Sequence, residues 1–193
     1  NAGYAAGVNA AGAAMDVDHL DAVLVLNPDI RIEADCLPRL LGDLSRPGVG
    51  IVVPRLLNPD GSLQVSIRRD PSVLRALAEA VLGGARAGRT GQLGELITDP
   101  AAYEASRPVS WGTGAAMLVS RAAIEALGPW DESLLLYGEE VEYSLRARDE
   151  GFGVWYDAAA RAEHVGGEME SVPFLYALMT VNRYRMRHLA KTG

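Results

Sequence analysis

Asp21-Ala-Val-Leu-Val-Leu-Asn-Pro-Asp29 is the stretch that decides the fold. Its apolar run is too short for an ordinary helix. It is long enough for a strand buried on both faces, the kind found in parallel sheets. Asn27, Pro28 and Asp29 close it with turn chemistry: proline fixes its own φ, and asparagine and aspartate bond to nearby backbone. Upstream, residues 1–14 are rich in Gly and Ala. Ala2, Ala5, Ala6, Asn9, Ala10 and Ala13 recur at helical spacing, which predicts a helix packed closely on a sheet.

Downstream, strands and helices alternate. The pattern predicts a helix over 33–44 closed by Ser45-Arg-Pro-Gly48, then a buried strand over 49–53 broken at Pro54. Asn58-Pro-Asp-Gly61 is a turn, and 62–67 alternates like an exposed strand. Residues 70–107 carry Gly83, Gly84, Gly88, Gly91 and Gly94 among scattered arginines, and read as a helix over 72–82 followed by a flexible loop. Residues 109–120 read as a strand whose Gly112 and Gly114 let a ligand approach the backbone. Helices are expected over 121–127 and 139–150, strands over 152–156 and 160–164, and an amphipathic helix over 172–191. The whole reads as one α/β domain spanning 1–193, with a mostly parallel mixed sheet flanked by helices.

The charge balance of 18 Lys and Arg against 25 Asp and Glu gives −7. An acidic chain argues against a general nucleic-acid binder. The single cysteine, Cys36, excludes an intrachain disulfide and a Cys-rich zinc site, and points to a reducing, cytoplasmic setting. No apolar run approaches the roughly 18 residues of a membrane span. The chain begins at Asn1 inside a patterned segment, which suggests a fragment of a longer protein.

Three places hold candidate chemistry. Asp29 stands just past the carboxyl end of a buried strand, where ligands bind in open α/β sheets. It either caps the following turn or holds Mg²⁺ or Mn²⁺, ions that need only one or two protein carboxylates when substrate phosphates supply other oxygens. Glu139, Glu140 and Glu142 start a helix, where negative charge suits the macrodipole. They are either a solvated first turn or carboxylates held against apolar walls by the preceding Leu134-Leu-Leu-Tyr137 and tuned for proton abstraction. His164 ends a strand and enters Val165-Gly-Gly167, and is either structural or a ligand for metal or phosphate. His19 and His188 lack such a setting. No Walker loop, GxGxxG, HExxH or GxSxG occurs.

In order along the chain, these segments resemble family 2 glycosyltransferases with the GT-A fold, especially the rhamnosyltransferase-like branch. Asn1-Ala-Gly-Tyr-Ala-Ala-Gly-Val-Asn9 is similar to that family's N-x-G-x-x-x-G-x-N segment, and Leu26-Asn-Pro-Asp29 to its LNPD form of the metal-binding DXD motif. Val109-Ser-Trp-Gly-Thr-Gly-Ala-Ala-Met-Leu-Val119 is similar to its acceptor-side strand. Leu127-Gly-Pro-Trp-Asp-Glu132 matches a GhFDE-type corner with Trp130 in place of Phe. Tyr137-Gly-Glu-Glu-Val-Glu-Tyr-Ser-Leu-Arg146 matches Y-x-E-D-x-D-L-x-x-R, and His164-Val-Gly-Gly167 the closing H-x-G-G.

The resemblance implies inverting transfer of a sugar from a nucleotide-diphosphate sugar to an acceptor hydroxyl, in cell-envelope polysaccharide or glycolipid synthesis. It implies donor contacts from Asn9, Asn27 and Asp29. It implies a divalent Mg²⁺ or Mn²⁺ on Asp29, with His164 as second ligand or phosphate contact. Glu140 aligns with the family's catalytic base, and Glu139, Trp111, Gly112 and Gly114 fall at the acceptor, Trp111 by stacking on a sugar. Glu replaces Asp at 140 and 142, so the alternative is a degenerate GT-A domain that only binds nucleotide sugar or a partner. A nucleotidyltransferase is a third reading, and its Gly-rich loop would fall before Asn1. The family's first strand, helix and second strand, which hold the nucleotide base, have no counterpart here, so the sheet is expected to lack them and the isolated chain to be a poor catalyst. Arg68 and Arg69 are candidate phosphate contacts, and the segment around Arg86 and Arg89 a candidate lid over the donor. The acceptor is a saccharide or a lipid-linked saccharide. Peripheral contact with the inner face of a membrane would come from the 172–191 helix, where Phe174, Leu175, Leu178 and Met179 accompany Arg183, Arg185, Arg187 and Lys191.

Overall fold

The computed structural model describes residues 3–16, 19–89, 93–134, 136–166 and 181–182. In chain order the elements are α1 (Tyr4–Ala13), β1 (Ala22–Leu26), β2 (Ile30–Ile32), α2 (Cys36–Leu44), β3 (Val49–Leu57), β4 (Ile67–Arg68), α3 (Val73–Leu82) and α4 (Gly84–Arg89). They continue with β5 (Arg107–Val109), β6 (Trp111–Gly112), β7 (Ala116–Ser120), α5 (Arg121–Leu127), α6 (Glu139–Asp149) and β8 (Gly153–His164).

The main sheet runs β1-β7-β3-β8-β2, with β5 also on β8, and β4 pairs with β6 in a small second sheet. Period-2 alternation buries both faces of the main sheet. Ile51, Val53, Met117, Val119, Val154 and Tyr156 pack toward Ala5 of α1, Ala123 and Leu127 of α5, and Tyr143 and Ala147 of α6. Val52, Leu118 and Ala160 face the other way, onto Cys36 and Leu40 of α2. Burial on both sides is why these strands read as unbroken apolar runs.

The α/β architecture with a mixed sheet is the one expected. Its longest pairing, β3 with β8, is parallel. Among the described strands the other main-sheet pairings are antiparallel, and this corrects the expectation of a parallel strand at Ala22–Leu26, which runs antiparallel to β7. An apolar run reports burial, not the direction of its neighbour. Proline 54 does not break its strand, because β3 continues to Leu57. The register jumps at that point, from Pro54 opposite Asp157 to Arg55 opposite Arg161, so the missing N–H falls at an irregularity in β8. The two strands expected over 152–156 and 160–164 are therefore one strand with a bulge. The exposed strand expected over 62–67 is an irregular crossing with one bridge from Leu63 to Leu57, and Ile67 is fully buried. The strand expected over 109–120 is divided into β5, β6 and β7. The helix expected from residue 33 begins at Cys36.

Helix α1 forms and its Ala5 enters the core, but Gly7 and Gly12 do not press on the sheet. A Cβ on Gly7 or Gly12 would meet nothing within 4 Å. Both glycines line an apolar cavity of about 700 Å³ that runs along β1. Among the described residues β1 pairs only with β7. The 70–107 stretch holds more order than the expected helix and loop: α4 follows α3, and Ile97 and Tyr103 enter the core. Of the expected helix over 172–191, all but residues 181 and 182 lie outside the described residues.

One corner ties α1, α5 and α6 together. Asn9 accepts from the Trp130 N–H at 2.9 Å and donates to the Trp130 carbonyl at 3.0 Å and to Glu132 Oε1 at 2.9 Å. The Trp130 ring stacks on Tyr143 with centroids 4.3 Å apart and takes Tyr4 edge-on at 5.9 Å. Arg146 grips Glu142 with two bonds of 2.7 and 2.9 Å and donates to the carbonyls of Leu127 and Pro129. Trp130→Ala is expected to cost about 3–5 kcal/mol, read by chemical denaturation. A loss below ~1 kcal/mol would show that the corner is not held by this ring.

Candidate active site

The turn after β1 and the end of β8 are brought together by strand register. Ile30 pairs with His164 where β2 crosses β8, so Asp29 and His164 become neighbours although 135 positions separate them. Asp29 Oδ2 accepts from the Gly166 N–H at 3.0 Å and lies 3.5 Å from His164 Nε2. Gly166 has φ +52, and a side chain there would meet the His164 ring at 3.3 Å. His164 Nδ1 faces Gln64 Oε1 at 2.7 Å.

Asp29, His164 and Gln64 line one cavity of about 820 Å³ together with Glu139 and Glu140 at the start of α6. The chain enters α6 through Tyr137, which has φ 65, and Gly138, which has φ 124. A bulky residue in the left-handed region is strained and must be held by its surroundings. Asn182 supplies part of that hold: its amide donates to the carbonyls of Leu134, Leu136 and Tyr137 at 2.8 to 2.9 Å. Gly114 lets α6 approach, because a Cβ there would stand 3.2 Å from the Glu140 Cβ. The Tyr4 hydroxyl donates to the Gly114 carbonyl at 2.6 Å.

The two carboxylates differ in setting. Glu140 is half-buried, and its Oε2 accepts from the Gly138 N–H at 3.2 Å. Glu139 is only 4 % exposed, and its Oε2 has no hydrogen-bond partner among the described residues. Burial pushes the Glu139 carboxyl up to about 7, and the charge of Glu140 adds to the rise. Burial, with both glutamates contributing, also holds the Tyr4 phenol protonated well above its ordinary range.

Several residues expected at the site are elsewhere. Asn9 serves the Trp130 corner and lines the apolar cavity, not this one. Trp111 is 3 % exposed, packs with Leu134 and Val141, and donates its indole N–H to the Arg69 carbonyl at 3.1 Å, so it offers no face to a sugar. Gly112 is explained by packing, because a Cβ there would meet Val53 at 3.0 Å. Glu142 is occupied by Arg146. Arg69 donates to the carbonyls of Gly94 and Leu96, whereas Arg68 and Asn27 line the site. Sequence reasoning missed Gln64, Tyr4 and Asn182, whose contacts cross 45 to 110 positions.

Among the described residues no group of three or more His, Cys, Asp or Glu forms a metal cage. Asp29 and His164 offer one carboxylate and one imidazole beside an open cavity. That donor set fits a divalent cation whose remaining ligands come from substrate oxygens.

Comparison with known proteins bears on the fold and on relatives. No family model matches the chain. An N-acetylglucosaminyl-diphospho-decaprenol L-rhamnosyltransferase of Mycobacterium tuberculosis is 33% identical over 147 residues, which cover 75% of this chain and 47% of that protein. The chain is similar to glycosyltransferases of the family 2 type. A low-salt glycan biosynthesis hexosyltransferase, Agl10 of Haloferax volcanii, is 29% identical over 156 residues, covering 80% of this chain and 46% of that protein. The chain thus spans about half the length of the curated relatives it matches. The crystal structure of GalNAc-T7 with UDP, GalNAc and Mn²⁺ superimposes with a TM-score of 0.55 at 13% identity, over 84% of this chain and 30% of that one, and shows the shared GT-A fold.

The raised Glu139 carboxyl has a signed consequence for stability. Its folded value of about 7 lies above the ordinary 4.5. Between those values the native state holds more protons than the unfolded state, so stability falls as pH rises. The contribution is full below about 4.5 and lost as pH climbs through about 7. Glu139→Gln is expected to flatten this slope and to melt higher than the parent at pH 8. Superimposable melting profiles from pH 4 to 8 would contradict the burial argument.

Proposed function

We propose that the protein moves a sugar from a nucleotide-diphosphate sugar to an acceptor hydroxyl with inversion at the anomeric carbon, in synthesis of a cell-envelope or other surface glycan. The observation that supports it best is the shared cavity: a carboxylate–imidazole pair suited to a metal-bound diphosphate opens onto the same space as two glutamates, one buried and one half-buried. Asp29 and His164 hold the donor end, with Asn27 beside them. A divalent cation, Mg²⁺ or Mn²⁺, supplies charge neutralisation for the departing diphosphate. Glu140 takes the acceptor proton as the acceptor oxygen bonds the anomeric carbon and the bond to the diphosphate breaks. Glu139 contacts the acceptor, and its raised carboxyl can donate a hydrogen bond to it near neutral pH. Gly114 keeps the path to Glu140 open.

The acceptor in this reading is a saccharide or a lipid-linked saccharide. The relative from Mycobacterium tuberculosis supports the lipid-linked form, because its name specifies a sugar on a diphospho-decaprenol. No helix among the described residues is long and apolar enough to cross a membrane. In this reading the chain reaches such an acceptor by peripheral contact at the cytoplasmic face. Support comes from α3, where Leu74, Leu77 and Val81 are exposed at i, i+3 and i+7 ahead of the exposed Arg86 and Arg89.

In the full protein, Glu140→Gln is expected to lower turnover by about 10²–10⁴-fold while nucleotide-sugar binding persists. Asp29→Asn is expected to abolish the Mn²⁺ dependence of that binding. Turnover retained in Glu140→Gln would remove Glu140 as base. Binding without turnover in the unaltered protein, across a panel of nucleotide sugars, would instead favour a degenerate, binding-only domain.

A further inference from the structure

We infer that the Asn58-Pro-Asp-Gly61 turn sets the tautomer of His164 through a one-directional hydrogen-bond relay, Asp60–Ser62–Asn58–Gln64–His164, so that Nε2 presents its lone pair beside Asp29. The inference rests on the proposed role of Asp29 and His164 as the metal-binding pair, and it gives the turn a task beyond reversing the chain.

The direction of every bond follows from the two ends. An ionised carboxylate can only accept. The Asp60 carboxyl is held below its usual range by bonds from the Ser62 hydroxyl and backbone N–H. The Ser62 hydroxyl lies 2.6 Å from Asp60 Oδ1, so its one proton is committed there. Its oxygen can then only accept, and it takes the Asn58 amide at 2.9 Å. That turns Asn58 Oδ1 toward Gln64, whose Nε2 donates to it at 3.1 Å. Gln64 Nε2 also faces the His164 backbone carbonyl at 3.4 Å, an acceptor that cannot flip. Both contacts leave Gln64 Oε1 for the ring, 2.7 Å from His164 Nδ1. An amide oxygen accepts, so Nδ1 must carry the proton.

In a neutral imidazole a proton on one nitrogen leaves the other as the acceptor. The remaining nitrogen, Nε2, is 3.5 Å from Asp29 Oδ2, and the ring is 15 % exposed. Two electron-pair donors at that separation, beside an open cavity, suit a cation. Outer partners that orient a ligating imidazole typically govern metal affinity by about 10–100-fold. Gln64 is therefore a positioning residue. Gly166 leaves room for it, because a Cβ there would come within 3.4 Å of Gln64 Nε2.

The test is ¹⁵N NMR of the imidazoles in the metal-free full protein at pH 8, paired with Mn²⁺ titration followed by EPR. Unaltered protein is expected to show the Nδ1–H tautomer at His164. Gln64→Met should shift the population toward Nε2–H and weaken Mn²⁺ by about 10–100-fold, with an unchanged melting profile. Ser62→Ala, at the exposed turn, should give a smaller tautomer shift in the same direction. An Nε2–H tautomer in the unaltered protein, or Gln64→Met and Ser62→Ala both leaving tautomer and affinity unchanged, would overturn the relay. An Nδ1–H tautomer that responds to Gln64→Met, with Mn²⁺ affinity indifferent to Asp29→Asn, would uphold the relay and overturn the metal reading of the site.

Discussion

Everything at the site depends on the register between β2 and β8. Ile30 stands opposite His164, and that single pairing sets Asp29 beside the imidazole and beneath the Gly166 N–H. A slip of one residue would reverse which side chains face the cavity. The register is protected because β8 is held along its length by the parallel partner β3, and at its two ends by β5 and β2. The apolar faces of β3 and β7 are filled by α2 on one side and by α1, α5 and α6 on the other. Sheet packing thus does for Asp29 and His164 what a local motif cannot.

The second half of the cavity depends on a different constraint, the strained entry to α6. Tyr137 and Gly138 bend the chain so that the helix begins at the cavity wall, and three carbonyls held by Asn182 keep the bend in place. Below the wall, Arg146, held by Glu142, donates to the carbonyls of Leu127 and Pro129 and locks the helix to the corner before it. Adjacent residues consequently have different jobs. Glu139 is buried with a raised carboxyl, Glu140 is open to the cavity, and Glu142 is structural.

Much of this was legible in the sequence because it is written in short segments. The apolar run ending in Asn27-Pro-Asp29, the acids opening α6 and the histidine ending β8 are local signals, and the fold places all three as strand end, helix start and strand end. The failures share one cause: a motif shows that a residue is special without showing which way it points. Trp111 belongs to a segment that looks acceptor-facing, yet its ring turns inward onto Leu134 and Val141. Asn9 is set apart by its spacing, but its partners are 121 to 123 positions away at Trp130 and Glu132. Pro54 reads as a strand breaker because the irregularity that accommodates it lies on β8, not on its own strand. Gln64 carried no signal of its own, since only the fold brings it to a histidine 100 positions later.

The central claim is that Asp29 and His164 form the donor-diphosphate metal site of a glycosyltransferase cavity whose opposing chemistry comes from Glu139 and Glu140. Crystals of the full protein grown with Mn²⁺ and a nucleoside diphosphate, measured at the manganese absorption edge, address it most directly. The account predicts one anomalous peak coordinated by the Asp29 carboxylate, His164 Nε2 and diphosphate oxygens, with both glutamates free of metal. A peak on the Glu139–Glu140 pair, or bound diphosphate with no metal at Asp29, would contradict it.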